Sequence, residues 1–422
     1  MKSLSVIKSA LTLFILIIRM QALQAQTDVM ASDSLRDKNQ IDKPGVMQIL
    51  FNGVLIPDET KERTWYIAPL FDVFQYNTVE GFVFNPKVSI TQQLKEDRFY
   101  AIKPNLRYGF GSKKPYGKLS ATYYYNPAKL GSLEISGGTF VAQFDDRSTL
   151  TPFANSYSTL LAKENFLRIY ASNFIELKHR FSPLKNVLLS NQLNWSSRRS
   201  LNNLDRFNEE DYASNIPAND EVLGTPFEQH QVFYQQTEIR WQPNLSYEYL
   251  RGKWVPTSKY PAIVLKYKSA HSNVFGSDLR YQNIALGVEG NIKVGTLGEG
   301  NFNLEVGDFL SRDSLSFVDF THFQGNRTTY TTYEEGTFQL LDYYSLSTAG
   351  AYFRSHYTHT FQAIKNRFIP MIEGNYLRAS DSNYVELGVG MQRTSKPFRI
   401  SFYNSWLDGN HDRAEVRVGF IF

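Results

Sequence analysis

Histidine, serine and aspartate side chains occur at a few spacings that could support catalysis or metal binding. His356 and His359 are three positions apart, and Ser355 lies next to His356. Asp319 and His322 form a second close pair. A Ser–His or Asp–His pair could act as the catalytic pair of a hydrolase, and two histidines could ligate a metal ion. Neither pair lies in a motif that fixes its geometry.

The residues around His356 argue against a metal site. They alternate between polar and apolar, which predicts a β-strand, and a spacing of three on a strand places two side chains on opposite faces. Cysteine is absent, and the other histidines show no ligand spacing. No glycine-rich phosphate loop is visible. We therefore expect no enzymatic activity, no catalytic residue, no metal and no cofactor.

Charged side chains recur at alternate positions within apolar segments. Lys103 and Arg107, for example, alternate with Ile102, Leu106 and Tyr108. Because successive side chains of a strand point to opposite faces, the charges share one face, which is bulk water for a soluble sheet and the lumen for a barrel. The candidates for a lumen-facing position are Lys103, Arg107, Glu176, Lys178, Arg180, Glu289 and Glu386.

The carboxy-terminal segment alternates strictly. Ala414, Val416, Val418, Phe420 and Phe422 occupy one face, and Glu, Arg and Gly occupy the other. Outer-membrane barrels end in such a strand, and we interpret Val418, Phe420 and Phe422 as the signal that the barrel assembly machinery reads. A half-buried final strand of a soluble sheet would also alternate, so this segment alone does not decide.

Similar segments recur along the whole chain, separated by clusters of Gly, Pro, Asn, Asp and Ser. About sixteen are predicted as strands: Trp65–Gln75, Gly81–Gln93, Phe99–Phe110, Tyr116–Asn126, Ser132–Phe140, Ser172–Phe181, Val187–Arg198, His230–Trp241, Pro261–Ser269, Tyr281–Lys293, Asn301–Phe309, Gly350–Phe361, Phe368–Leu377, Tyr384–Gln392, Phe398–Asn404 and Ala414–Phe422.

The connections between these segments sort by length. The longest, about Val141–Ala171, Arg199–Gln229 and Leu310–Ala349, all follow odd-numbered segments, whereas most connections after even-numbered segments are tight. Gln242–Tyr260 is the exception. Membrane barrels have long extracellular loops and short periplasmic turns. We therefore predict an all-β, transmembrane, up-and-down antiparallel β-barrel of about sixteen strands, with long loops on the extracellular side and both termini periplasmic.

Two loop segments carry further signals. Ser156–Tyr170 has apolar residues at roughly helical spacing, which favours a short helix at the barrel mouth. Phe317–Leu341 is polar and aromatic, and it could fold inward as a constriction or outward as a binding surface.

Composition and the amino terminus agree with an exported barrel. The 422 residues include 26 Tyr and 31 Phe, while lysine and arginine exceed aspartate and glutamate by only 4, too few to suggest nucleic acid binding. Mean hydropathy is −0.36. Residues 1–25 resemble a cleaved signal peptide, with basic Lys2 and Lys8, an apolar core and Leu23-Gln-Ala25 at its end. We predict that residues 26–46 form a flexible leader and that residues 47–422 form the barrel.

Particular segments resemble a known family. They are Gln75-Tyr-Asn-Thr-Val-Glu-Gly81, Leu106-Arg-Tyr-Gly-Phe110, Tyr125-Asn-Pro127 and His356-Tyr-Thr-His-Thr-Phe361. The resemblance, over roughly Met47–Phe422, is to outer-membrane β-barrels of unknown function whose members often carry an amino-terminal carboxypeptidase-regulatory-like domain. Only a short leader precedes the first predicted strand here. The resemblance implies fold and location, and it brings no catalytic residue.

The expected function is that of an integral membrane protein in the outer membrane of a Gram-negative cell. One expectation is porin-like passage or binding of a small solute through the lumen and outer loops, and the alternative is a plugged structural or partner-binding barrel. An assembly factor or a barrel hydrolase fits less well. The expected partners are outer-membrane lipids, the barrel assembly machinery, and a small solute or another envelope protein, with no nucleic acid.

Overall fold

The computed structural model describes residues 46–207, 212–219, 221, 224, 226–250, 253–328, 330–332, 336–364, 367–394 and 398–420. The predicted signal peptide, nearly all of the predicted leader and Phe422 lie outside the described residues.

The described chain is built from β-strands. Three short helices, α1 (Val46–Phe51), α2 (Leu70–Val73) and α3 (Pro152–Leu161), accompany the strands. The strands are β1 (Val54–Asp58), β2 (Arg63–Ile67), β3 (Phe74–Asn77), β4 (Gly81–Phe84), β5 (Val88–Gln93), β6 (Phe99–Gly109), β7 (Lys114–Asn126), β8 (Gly131–Gln143), β9 (Ile169–Phe181), β10 (Val187–Ser200), β11 (His230–Trp241), β12 (Ser246–Leu250), β13 (Lys253–Thr257), β14 (Ala262–Ala270), β15 (Arg280–Lys293), β16 (Glu299–Ser314), β17 (Tyr330–Thr332), β18 (Tyr352–Thr360), β19 (Phe368–Ala379), β20 (Ser382–Arg393), β21 (Phe398–Leu407) and β22 (Asn410–Phe420).

Twenty strands form one sheet, and β12 and β13 form a separate hairpin. Neighbours in the sheet are almost all consecutive in the chain and antiparallel, from β5–β6 through β21–β22. The short β17 instead pairs in parallel with β22. This arrangement confirms the predicted all-β, up-and-down antiparallel fold.

All sixteen predicted segments contain an observed strand. The sheet has 20 strands because Leu70–Val73, a helix that follows Pro69, interrupts the first segment and residues 85–87 interrupt the second. Strands β1 and β17 are additional. The long connection Gln242–Tyr260 is explained by the β12–β13 hairpin.

The two faces of the sheet differ in chemistry. The outer face is apolar and exposed: Leu387, Val389 and Val416 are 52%, 58% and 48% accessible. The inner face is polar and covered, and neighbouring Glu386 and Arg417 are 0% and 1% accessible. The period of 2 along each strand produces this separation.

Three long connections cover the inner face. Residues 144–168, 201–229 and 315–351 follow β8, β10 and β16, which run in the same direction, so all three leave from one rim, here called the long-loop rim. The first contains α3, which begins earlier than the predicted helix and ends at Leu161. Thr151 Oγ1 caps α3 by accepting from the Ala154 N–H at 3.1 Å, and Pro152 occupies the first turn.

The long loops also bond to each other. Glu221 accepts from the Thr348 hydroxyl at 2.7 Å and the Ala349 N–H at 3.1 Å. Arg147 donates from Nη2 to the His322 carbonyl at 2.6 Å. The three loops therefore pack as one layer on the sheet.

The two margins of the sheet are each covered by other segments of the chain. On the first margin, β1 pairs with β2, and the Tyr76 N–H of β3 donates to Ser156 Oγ of α3 at 2.8 Å. On the last margin, β17 pairs with residues 418–420 of β22. Among the described residues, no backbone pairing joins β22 to β1, β2 or β3.

Within the described ranges, every helix is too short and too polar to cross a bilayer.

Candidate functional site

A buried ion cluster holds the third loop on the inner face. Asp319, in the 3₁₀ turn Phe317–Asp319, accepts from Arg198 Nη1 of β10 at 2.5 Å, Lys268 Nζ of β14 at 3.0 Å and the Tyr281 hydroxyl of β15 at 2.7 Å. Burial by itself would raise the pKa of the Asp319 carboxyl, but Arg198 and Lys268 hold that pKa well below its usual range. The loop is thereby bonded to three strands through one carboxylate.

A second anchor binds the same loop farther along. Glu386 of β20 accepts from the backbone N–H groups of Gln339 at 2.9 Å and Leu340 at 2.6 Å, and from Asn375 Nδ2 at 2.8 Å. Arg417 Nε of β22 donates to the Gln339 carbonyl at 2.8 Å. The N–H groups of Gln339 and Leu340 and the carbonyl of Gln339 therefore all bond to side chains of the sheet. The Phe317–Leu341 stretch, for which the sequence left both directions open, folds inward.

A third cluster lies within the sheet. Glu305 of β16 accepts from Lys266 Nζ at 2.7 Å and the Tyr352 hydroxyl at 2.8 Å, and it pairs with Arg354 at 3.1 Å. One carboxylate thus joins two cations across four strands, β14, β16, β18 and the intervening β15. The inner face is cross-linked by opposite charges where the loops cover it.

Of the seven predicted inner-face charges, Arg107 and Glu386 are buried. Arg107 forms a bidentate ion pair with Glu80 in the turn between β3 and β4, and its Nη1 donates to Gln75 Oε1 at 2.9 Å. Asn77 Oδ1 accepts from the N–H groups of Val79 at 2.9 Å and Glu80 at 2.8 Å. The Asn77–Gly81 segment therefore has the structural role favoured by its turn residues.

The remaining five charges are more accessible. Glu176 pairs with Lys178 at 2.7 Å and accepts from Asn194 Nδ2 at 3.3 Å. Glu289 bonds to Arg240 of β11, while Lys103 and Arg180 are exposed. The structure thus brings Glu176 and Lys178 together, and Lys178 and Arg180 line the same cavity. Lys103 and Glu289 have separate surroundings.

A polar cavity of about 320 Å³ lies on the uncovered part of the inner face, toward the short turns. It is open and carries both signs of charge. The charged lining residues are Glu134, Lys178, Arg180 and Glu238.

The histidines considered as catalytic or metal-binding candidates lie in separate surroundings. Ser355 and His356 are adjacent on β18 and point to opposite faces, and His356 Nδ1 lies 3.1 Å from Asn375 Oδ1. His322 Nδ1 lies 2.8 Å from Ser347 Oγ, a contact that the sequence did not suggest, and both residues are buried. No group of three metal-ligating side chains occurs in the described part of the chain.

The predicted assembly segment forms the last strand. Val418 lies on β22, where its backbone pairs with Tyr330 of β17 and with Ile400 of β21. Phe420 is the final residue of β22. Phe422 lies outside the described residues.

Sequence reasoning predicted that Glu386 faces inward but missed the Arg198–Asp319 pair that anchors the loop. Arg198 lies at the end of a predicted strand and Asp319 lies in a loop, so no periodicity links them. The useful signal is a single carboxylate in an aromatic segment, Phe317-Val-Asp-Phe320, since a charge flanked by large apolar side chains needs a buried partner.

Comparison with known proteins identifies the family. Residues 47–391 match the family described as "Family of unknown function (DUF5686) C-terminal domain". The chain belongs to this family. The match confirms the family resemblance inferred from the sequence segments. No curated protein matches the chain.

The chain is also similar in fold to solved barrels. One is BamA from Haemophilus ducreyi lacking POTRA domains 1–3, at 13% identity and a TM-score of 0.48, covering 84% of this chain and 69% of that one. Another is a porin mutant from Rh. blastica, at 13% identity and a TM-score of 0.34, covering 82% of this chain and 95% of that one.

Proposed function

We propose that this protein of the DUF5686 family is an integral outer-membrane β-barrel protein whose interior is plugged by its own long loops. The long-loop rim then faces the outside of the cell and acts as a binding surface for a partner or ligand. Glu386 carries this proposal, since a fully buried strand carboxylate bonded to two loop N–H groups fixes the loop against the sheet.

The membrane location is supported by the outer face. Exposed apolar side chains recur on strand after strand there, and in water such a surface would drive association. A bilayer accepts it when the backbone is bonded within the sheet. The proposal includes export in a Gram-negative cell by a signal peptide cleaved after Ala25, and insertion by the barrel assembly machinery through Val418, Phe420 and Phe422.

Passage or binding of a small solute inside the sheet is the second candidate. The polar cavity of about 320 Å³ near the short turns favours it, because that part of the inner face is not covered by the loops. We also propose that the protein is not an enzyme, which is supported by the burial of His322 and Ser347 and by the opposite orientations of Ser355 and His356.

Planar-bilayer recording with purified protein tests the plug. We expect the native protein to insert without steady conductance and Glu386→Ala to conduct, because the loop N–H groups lose their acceptor. Glu289→Ala is the matched control, since the described hydrogen-bond partners of Glu289 are the strand residues Arg240 and Asn303. Steady conductance of the native protein would instead support solute passage. Heat-modifiable mobility confirms beforehand that each variant is folded.

Protease treatment of intact cells tests location and orientation. Lys163 lies in the first long loop and Lys129 in a short turn. Cleavage at Lys163 and protection of Lys129 are expected, and the reverse result would refute the orientation.

Deleting Phe422 should reduce the folded fraction in the outer membrane, and unchanged abundance would argue against its role in assembly.

A further inference from the structure

A second cavity, of about 530 Å³, opens at the long-loop rim between all three long loops. Phe166 and Arg168 line it from the first loop, Ala213 from the second, and Arg327 and Tyr343 from the third. Its volume lies within the range of small-molecule sites. No residue of the anchoring clusters described above lines it.

Buried amides fix the walls of this cleft. Asn155 Oδ1 accepts from the N–H groups of Phe166 at 2.9 Å and Leu167 at 2.8 Å. Asn215 Oδ1 accepts from the Ile169 N–H at 3.0 Å and its Nδ2 donates to the Leu201 carbonyl at 2.6 Å. Both asparagines are fully buried. The cleft is therefore formed before any ligand arrives, which lowers the entropic cost of binding.

Arg168 is the unusual group in the cleft. Its Nη1 donates to the Asn165 carbonyl at 2.5 Å, and among the described residues no carboxylate lies within salt-bridge distance of its guanidinium. Arg327, by contrast, pairs with Asp342 at 2.8 Å, and Asp342 also binds Arg413. Burial lowers the pKa of Arg168 to about 10, so the side chain stays charged at neutral pH. A largely buried cation that pairs with no carboxylate of the described residues favours an anionic ligand.

The neighbouring side chains restrict the kind of anion. The rings of Phe166 and Tyr343 lie 5.7 Å apart, tilted by 43°, and line the same cleft as Arg168. They provide an apolar surface for a ring. A ligand that fits both features carries an anionic group for Arg168 and a ring for the aromatic pair.

We propose that this cleft binds a monocarboxylate attached to a ring, with Arg168 holding the carboxylate through its planar fork and the aromatic pair packing on the ring. Sugar acids and aromatic acids share this chemistry. The inference deepens the proposed function by naming a ligand class, and it rests on that function for placing the cleft outside the cell.

Saturation-transfer NMR on the full chain in detergent micelles tests the inference. The probes are glucuronate and benzoate, with glucose and inorganic phosphate as controls and empty micelles as the blank. We expect at least one acid to bind, and glucose and phosphate to bind about tenfold or more weakly, because glucose lacks the charge for Arg168 and inorganic phosphate lacks the ring. If only glucuronate binds, the ligand is a sugar acid, and if only benzoate binds, it is an aromatic acid.

Three variants assign the site. Arg168→Gln should weaken acid binding about tenfold or more through loss of the fork. Ala213→Trp should block the cleft from its exposed wall while leaving Arg168 in place. Arg280→Gln is the matched control, because this rim arginine is 67% exposed, pairs with Asp313 and lies outside the cleft.

Three outcomes would overturn the inference: no acid binds, phosphate binds as well as the acids, or Arg168→Gln and Ala213→Trp bind like the native protein. A protein that is silent in bilayers and binds neither acid would refute this ligand class while leaving the plugged barrel in place. A conducting protein that still binds the acids at Arg168 would refute the plug alone.

Discussion

Arg198 and Asp319 form a fully buried ion pair, 2.5 Å apart, that joins strand β10 to the third long loop. Their residue numbers differ by 121, so the contact bridges distant parts of the chain. It fixes the position at which the loop enters the inner face. The position of the loop and the stability of the sheet therefore both depend on this one carboxylate.

Removing one partner of this pair should be strongly destabilising. Asp319→Asn leaves the Arg198 and Lys268 charges without their carboxylate, and we expect a loss of about 3–5 kcal/mol in the free energy of unfolding. Urea unfolding in detergent, followed by tryptophan fluorescence, measures it. The double variant Arg198→Met/Asp319→Asn should lose less than the sum of the two single variants, and simple additivity would show that the pair is not coupled.

The Arg107–Glu80 pair should secure the turn between β3 and β4. Arg107→Met leaves a fully buried Glu80 carboxylate unpaired, so we expect a loss of similar size, about 3–5 kcal/mol, and faster proteolysis at the long-loop rim. Lys103→Met is the control, because Lys103 lies on the same strand and is exposed. Equal protease sensitivity of the two variants would contradict the assignment.

The stability should depend on pH through His322. Burial lowers the pKa of His322 to about 3, from an ordinary 6.5, and nearby Arg147 adds to the effect. The unfolded chain then binds a proton that the folded protein does not. The stabilisation is fully present above pH 6.5 and is lost as the pH falls toward about 3.

Urea unfolding across that pH window measures the His322 contribution. The native protein should lose up to about 1.4 kcal/mol more per pH unit than His322→Gln, since one proton is involved. His411→Gln is the control, because His411 is exposed. Identical slopes for the native protein and His322→Gln would show that His322 does not titrate in this way.

Cysteine pairs should report the covered margins. The chain has no cysteine, so engineered pairs give an unambiguous signal. Phe402→Cys/Val416→Cys places two outer-face register partners of β21 and β22 together and should cross-link on oxidation. Val416→Cys combined with Phe74→Cys of β3 should not, because no pairing between β3 and β22 is observed in the described residues. Efficient cross-linking of this combination would demonstrate a continuous β3–β22 ladder.

The sixteen predicted segments could be recognised because each follows a period of 2 over about seven or more residues. The alternation of Val385, Leu387 and Val389 with Glu386 and Gly388 sets one apolar and one polar face without any tertiary information. The strand breaks were harder to predict. Pro69 and α2 interrupt the first segment within an alternating pattern. Beyond this break, β3 packs against α3, a tertiary contact that the alternation does not predict.

The candidate sites were less predictable than the strands. Glu386 and Arg107 emerge from alternation, but their partners Gln339 and Glu80 lie in a loop and a turn with no period. The role of Arg168 could not be predicted from the sequence, because the described residues that surround it come from three different loops. Such contacts between segments far apart in sequence are set by packing rather than by local pattern.

The pairing of β1 with β2 and of β17 with β22 has a mechanical consequence. Both margins already have backbone partners there, so moving the margins apart near the short turns would break none of the observed inter-strand ladders. β2 and the end of β22 therefore keep a second hydrogen-bonded neighbour however the two margins lie relative to each other. Because β17 belongs to the third long loop, the segment that covers the inner face also covers the edge of the last strand, and residues 418–420 offer no bare edge for pairing with another chain.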